Sequence, residues 1–156
     1  MEEYNTGAKN KKMINAHLIS QLKRHEGFRG RVYRCPAGKL TVGYGFNLDD
    51  NDIPEDIADL LLRNKLIKIM KEMAKREELD FISMLNEPRQ DVLINMAYNM
   101  GIDGLLKWKN TLKEIAEGNY DKAANRMELS LWAAQVGNRA KELANQMRTG
   151  EYQDEE

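Results

Sequence analysis

The chain has one cysteine, Cys35, so no intramolecular disulfide and no cysteine-rich zinc site can form. Its two histidines, His17 and His25, leave little from which to build a metal centre, and neither a metal nor another cofactor is expected. No apolar run approaches the ~20 residues that a membrane-spanning helix needs, so no stable membrane insertion is expected. The first residues, MEEYNTGAKNKKMINAHLISQL, begin with two acids and lack a long apolar core, so the sequence predicts no secretory signal. A substrate outside the cytoplasm would then have to be reached by some other route. There is no internal repeat, no low-complexity tract, and no basic stripe interleaved with aromatics of the kind that binds single-stranded nucleic acid.

A length of 156 residues, with 42% hydrophobic and 31% charged residues, suits a globular domain or two small lobes and argues against general disorder. The net charge of −1 conceals a split. Residues 1–45 hold nine Lys/Arg against three Asp/Glu, whereas residues 49–59 hold six acids and no base, and residues 151–156 four more acids. The basic half is compatible with an anionic polymer such as nucleic acid or cell wall. On charge alone an ordinary solvated surface is the better reading, and no nucleic-acid partner is expected.

The pattern along the chain predicts a polar leader over 1–12, then a helix capped by Asn15 and running to about Arg24, with Ile14, Leu18 and Leu22 on one face. Gly27 ends it. From Phe28 to Leu48 glycines stand at 30, 38, 43 and 45, and stretches such as 31–33 and 39–42 read as short strands joined by tight turns. Pro54 suits the first position of a helix whose apolar positions Ile57, Leu60, Leu61, Ile67, Met70 and Met73 carry it to about Arg76. Further helices are expected after Asn86, with Val92, Leu93, Met96, Ala97 and Met100 inward and a stop at Gly101. Others are expected at 111–117, at 120–131, and from an Asn138 cap to Gly150. The methionines at 70, 73, 84, 96, 100 and 127 read as core fillers, and Trp108 and Trp132 as core aromatics rather than sugar platforms. The fold class is thus α+β and mostly α, with one small β lobe.

The informative segment is HEGFRGRVYRCPAGKLTVGYG. Glu26 closes an amphipathic helix where the chain turns into glycine-rich strands. Partial burial of a carboxyl placed there would keep a proton on it near neutral pH, as a glycosidase needs in order to protonate the leaving oxygen. Taken alone, it is an ordinary helix-end glutamate. Its company sets it apart: eight residues separate Glu26 from Cys35, five separate Cys35 from Thr41, and Thr41-Val42-Gly43-Tyr44-Gly45 follows.

That spacing resembles the active-site region of the phage-type lysozymes, glycoside hydrolase family twenty-four. Residues 89–101, RQDVLINMAYNMG, look like the family's central buried helix, and residues 130–150 like its C-terminal signature. The resemblance spans roughly residues 14–152. It implies a lysozyme-like domain over 13–156, with an N-terminal helix and β lobe at 13–50, a connecting helix at 53–76, a helical lobe at 80–150 and an active-site cleft between the lobes. It implies a catalytic set of Glu26, Cys35 and Thr41 and a muramidase acting on the bond from N-acetylmuramic acid to N-acetylglucosamine in peptidoglycan. Water would attack from the far face with inversion, assisted by Cys35 and Thr41. Asn99, Arg139, Tyr44 and Asn47 are implied as substrate-side residues, Arg139 steadying Glu26 across the cleft. Two positions depart from the common pattern: Cys35 stands where the best-known members have aspartate, and Phe46 where many have histidine. For Cys35 three roles remain open, those of nucleophile, base and neutral spacer.

An endolysin of this kind would be a monomer held in the host cytoplasm until a separate holin-type pore opens. Three rivals stand beside that reading. A tail-associated lysozyme that pierces the wall during infection is disfavoured by the chain's length, a catalytically inactive wall-binding module by intact Glu26 and Thr41, and a nucleic-acid-binding protein has only the N-terminal charge behind it.

Overall fold

The computed structural model describes residues 13–153; the leader expected over 1–12 lies outside the described residues. In chain order the elements are α1 (Ala16–Glu26), β1 (Arg29–Arg34), β2 (Leu40–Gly43), β3 (Phe46–Asn47), α2 (Glu55–Met73), a 3-10 segment (Glu77–Met84), α3 (Glu87–Met100), α4 (Ile102–Leu106), α5 (Lys109–Ala116), α6 (Tyr120–Glu128), α7 (Leu131–Val136) and α8 (Asn138–Thr149). The three strands form one antiparallel sheet in the order β1-β2-β3. This is the mostly helical α+β class read from the sequence. The chain divides into two compact units, residues 1–58 and 59–156, with the division inside α2.

In the first unit, the Asn15 side chain accepts the Leu18 N–H at 2.9 Å, satisfying one of the free donors at the start of α1. The helix runs past Arg24 to Glu26 and stops at Gly27, whose N–H donates to the Lys23 carbonyl at 3.0 Å. Both expected strands are present; β1 is longer than the pattern suggested, and β2 has the expected length shifted by one residue. β3 is only two residues long, too short to show a period. Thr41 opposes Tyr33 on one side and Asn47 on the other, which makes β2 the central strand.

The acidic run after the sheet is partly structural. The Asp49 carboxylate accepts the Leu40 N–H at 2.8 Å. Asp50 pairs with Lys39 at 3.0 Å and accepts from the Asn47 amide at 2.8 Å. Among the described residues of this unit, Thr41 is the only buried one.

In the second unit the core gathers around α3. Asn86 caps it by accepting the Arg89 N–H at 3.2 Å, Val92, Leu93, Met96 and Ala97 are buried, and Gly101 ends it, all as expected. Leu105, Ile115, Met127 and Met147 are the other large side chains that are fully buried.

The sequence reading of α2 needs correction. The helix ends at Met73 rather than near Arg76. Of its expected stripe only Met73 is buried, while Ile57, Leu60, Leu61, Ile67 and Met70 are exposed. Ile69 packs on the core instead. Apolar residues surround this helix, so periodicity alone does not choose the inward face. Met84 is likewise exposed rather than a core filler.

The expected helix over 120–131 breaks at Leu129 and Ser130, because Ser130 turns to cap α7, accepting the Ala133 N–H at 3.1 Å. Asn138 is the first residue of α8 rather than its cap, a place taken by Gly137.

The C-terminal end of α8 is tied back to α3 by Arg89. Its guanidinium donates to the Met147 carbonyl at 2.8 Å and the Arg148 carbonyl at 3.1 Å, and lies 3.6 Å from the centre of the Tyr120 ring. It thereby satisfies carbonyls that a helix end leaves free. Gly150 makes room for it: its φ is +71°, and a β-carbon there would stand 2.7 Å from the guanidinium. Arg89→Met, which keeps the apolar stem and removes the donors, is expected to lower stability by about 2–3 kcal/mol in urea unfolding. A loss within ~0.5 kcal/mol, the range of ordinary surface changes, would show that the α8 end does not depend on this tie.

Candidate functional site

The residues expected to be catalytic all come from the first unit. Glu26 is the last residue of α1, and the turn at Gly27 leads the chain from it into β1. Its carboxyl rests on the backbone of Gly45, where a β-carbon would lie 2.9 Å from Glu26 Cδ. Gly45 also has φ +69°. Glycine is needed at this position twice over, for the left-handed backbone and for the space that the carboxyl occupies. The sequence reading passed over Gly45, although its Gly-x-Gly setting was visible. Glu26 itself is exposed, in contrast to the partial burial expected.

Cys35 and Thr41 are brought side by side by the β1–β2 turn. Cys35 N–H donates to the Lys39 carbonyl at 2.9 Å, and Gly38 N–H donates to the Cys35 carbonyl at 2.8 Å, closing a tight loop. The half-buried Cys35 sulfur sits among backbone N–H groups. The N–H of Lys39, foremost, and then that of Ala37 hold the thiol's pKa below the ordinary cysteine value; burial opposes the shift and the Thr41 hydroxyl assists it. The groups that favour the thiolate are thus hydrogen-bond donors of the turn itself and not a guanidinium. Arg34 instead donates to the Gly38 carbonyl at 2.9 Å, bracing the turn. Lys39, whose ammonium is held charged by Asp50, lies near enough to the sulfur to gain from its negative charge.

Thr41 is 3% exposed, and its hydroxyl donates to the Lys39 carbonyl at 3.0 Å. A hydroxyl has one proton, so donation alternates between that carbonyl and the cysteine sulfur. Between these two residues, it is Cys35 that meets solvent.

The residues expected on the substrate side have the following surroundings. Tyr44 is exposed, with its ring centroid 5.5 Å from that of Phe28 and the Lys23 ammonium 5.2 Å from its own. Asn47 organises the turn after β3: its side-chain oxygen accepts the N–H groups of Asp49 and Asp50 at 2.9 and 3.2 Å. In the second unit, Asn99 accepts the Trp132 indole N–H at 2.8 Å. Trp132 is buried edge-on against Trp108, with ring centroids 5.6 Å apart, so both tryptophans pack as expected. Arg139 forks onto Asn95, reaching its side-chain oxygen at 2.6 Å and its carbonyl at 3.2 Å. Asn95 is a partner that the sequence reading missed; it lies four residues before Asn99, one helical turn away on α3. Among the described residues no cluster of metal-binding side chains forms.

The state of Cys35 offers a direct measurement. Its pH profile of alkylation by iodoacetamide is expected to have a midpoint below that of the free thiol in an unstructured cysteine peptide measured alongside. Thr41→Val should move that midpoint upward by removing one donor. A wild-type midpoint at or above that of the peptide would mean that the turn's N–H groups do not stabilise the thiolate.

The family described as phage lysozyme matches residues 23–150, a span containing Glu26, Cys35, Thr41, Asn99 and Arg139. Among curated proteins, the chain is similar to the pre-baseplate central spike protein of Enterobacteria phage T4, at 26% identity over 166 residues. That match covers 87% of this chain and 28% of the spike protein, so the chain spans less than a third of that relative's length. It is also similar to an endolysin of Acyrthosiphon pisum secondary endosymbiont phage 1, at 27% identity covering 66% of this chain and 69% of the endolysin. A probable T4-type lysozyme 1 of Dictyostelium discoideum is 27% identical, covering 86% of this chain and 78% of that protein. With four-fifths of its length matched, the chain belongs to the phage lysozyme family and is a glycoside hydrolase.

Proposed function

We propose that this protein is a muramidase that hydrolyses the β-1,4 bond between N-acetylmuramic acid and N-acetylglucosamine in bacterial peptidoglycan, and that it acts as an endolysin. The observation that carries this reading is the Glu26 carboxyl at the end of α1, seated on Gly45, in the unit that also places Cys35 beside Thr41. Family membership supplies the reaction class, and these three groups supply the chemistry.

In this mechanism Glu26 gives its proton to the glycosidic oxygen as the C–O bond breaks. Bound glycan covers the exposed carboxyl and excludes water from it, which leaves the glycosidic oxygen as the partner for its proton. Water attacks the anomeric carbon from the opposite face, displacing the leaving sugar and inverting the centre. Cys35, the solvent-facing member of its pair, holds that water and as thiolate takes the proton it sheds; exchange with solvent then returns a proton to the Glu26 carboxylate. Thr41 acts through Cys35, its hydroxyl donating to sulfur whenever negative charge develops there. Asn99 and Arg139 contribute to glycan binding from the second unit. Arg139 is oriented by Asn95, and Asn99 keeps its amide N–H groups available because its oxygen is engaged by Trp132.

A second reading keeps the same reaction and changes its setting. The spike protein of phage T4 matches this chain over part of its own length, which favours a wall-piercing role during infection. Mass spectrometry of purified virions separates the two: a lysis enzyme is absent from the particle and a piercing enzyme is present in it.

Three measurements test the mechanism. Glu26→Gln is expected to reduce release of reducing ends from purified peptidoglycan by at least ~100-fold, the scale of general acid catalysis, and retention of half the rate would remove Glu26 from the reaction. Gly45→Ala forces a residue with a β-carbon into a left-handed conformation and against the carboxyl. Its stability should fall by about 1–2 kcal/mol, and kcat should fall far more than KM changes. An active Gly45→Ala enzyme would mean that the carboxyl does not work from this position. NMR of the first-formed anomer should show inversion. Retention with a sugar adduct on Cys35 would instead make the cysteine a nucleophile.

A further inference from the structure

At the junction of α4 and α5 the chain reads Lys107-Trp108-Lys109, and these three residues line one side of a groove of about 690 Å³. Arg126 of α6 and Leu129 line the other side, and no acidic residue lines it. Arg126 has Glu114 at 3.7 Å, but among the described residues neither Lys107 nor Lys109 takes part in an ion pair. Leu129 is 87% exposed and Leu131, two residues on, 85%, among the most exposed large apolar side chains described. Both stand where α6 breaks and Ser130 starts α7. A continued helix would have distributed them around its axis, whereas the break holds them out from the surface.

We propose that this face docks on an anionic lipid bilayer, with Leu129 and Leu131 entering the acyl boundary and Lys107 and Lys109 meeting the phosphate headgroups. Single exposed leucines are common and mean little. Here two protruding leucines adjoin a groove whose lining charge is all of one sign, with an indole between the two free cations. Cations, an amphipathic ring and apolar tips match the layers of a bilayer surface in order: phosphate, interfacial zone, hydrocarbon. Trp108 is half-buried, packs edge-on against Trp132 and lines the groove. Charge complementarity singles out an anionic bilayer, since a zwitterionic one has no net negative surface potential to attract the lysines. The inference does not depend on which bond the enzyme cuts.

The test uses the full chain with vesicles of phosphatidylglycerol and phosphatidylcholine, or of phosphatidylcholine alone, in co-sedimentation at low salt. Wild type is expected to bind the anionic vesicles and to leave the neutral ones in suspension. Lys107→Gln/Lys109→Gln should weaken binding about thirty-fold, from roughly 1 kcal/mol per lysine. Leu129→Ser/Leu131→Ser should weaken it about ten-fold or more through lost apolar burial, with peptidoglycan hydrolysis unchanged. Brominated lipid gives a reading that needs no variant: bromine in the upper acyl chain should quench the wild-type tryptophan fluorescence. Absence of binding to anionic vesicles, equal binding to neutral ones, absence of quenching, or a leucine double variant that binds like wild type would each overturn the proposal.

Discussion

Residues 13–58 hold their reactive groups without a buried apolar side chain, and the candidate site depends on that constraint. Hydrogen bonds take the place of a core. Asp49 closes onto Leu40, Asp50 onto Lys39 and Asn47, and the Cys35–Lys39 turn is tied by two short backbone bonds and braced by Arg34. Each bond is modest when half exposed to water. Together they fix the β1–β2 turn and the strand that carries Thr41, and so set the position of the cysteine sulfur.

The second unit is built on the opposite principle. Its helices enclose Leu93, Met96, Leu105, Ile115, Met127 and Met147, and polar groups are used mainly at helix ends, as with Asn86, Ser130 and Arg89. A close-packed core is stiff, so Asn99 and Arg139 stand on a rigid base. Asn95 and Trp132 orient them, and each would lose its partner if a neighbouring helix shifted.

The lowered pKa of the Cys35 thiol has a local physical explanation. A carboxylate there would carry its charge without assistance. A sulfur becomes anionic near neutral pH only if its surroundings favour the charge, and the turn aims N–H groups at it. Because that stabilisation comes from the backbone, it survives substitution of nearby arginines. It also follows that Thr41, buried beneath the sulfur, is more closely coupled to Cys35 than to solvent.

Local rules made much of this legible. Asn15, Asn86, Gly27 and Gly101 marked helix ends because caps and stops act through residues three or four apart, and the α+β class followed from the glycine-rich stretch lying among helical periods. Glu26, Cys35 and Thr41 were legible as a spacing. The sequence did not reveal the inward face of α2, since Ile57, Leu60, Ile67 and Met70 suit burial as well as Ile69 does, and only packing chooses among them. Nor did it reveal the break at Leu129, where Ser130 prefers capping to helix, or the partners Asn95, Gly45 and Arg89, whose contacts join positions 19 to 59 residues apart. The sequence by itself determined the α+β class, the spacing of Glu26, Cys35 and Thr41, and the capped starts of α1 and α3. Only the tertiary structure decided which backbone groups face the Cys35 sulfur and what space the Glu26 carboxyl occupies, because both depend on chain segments that meet only after folding.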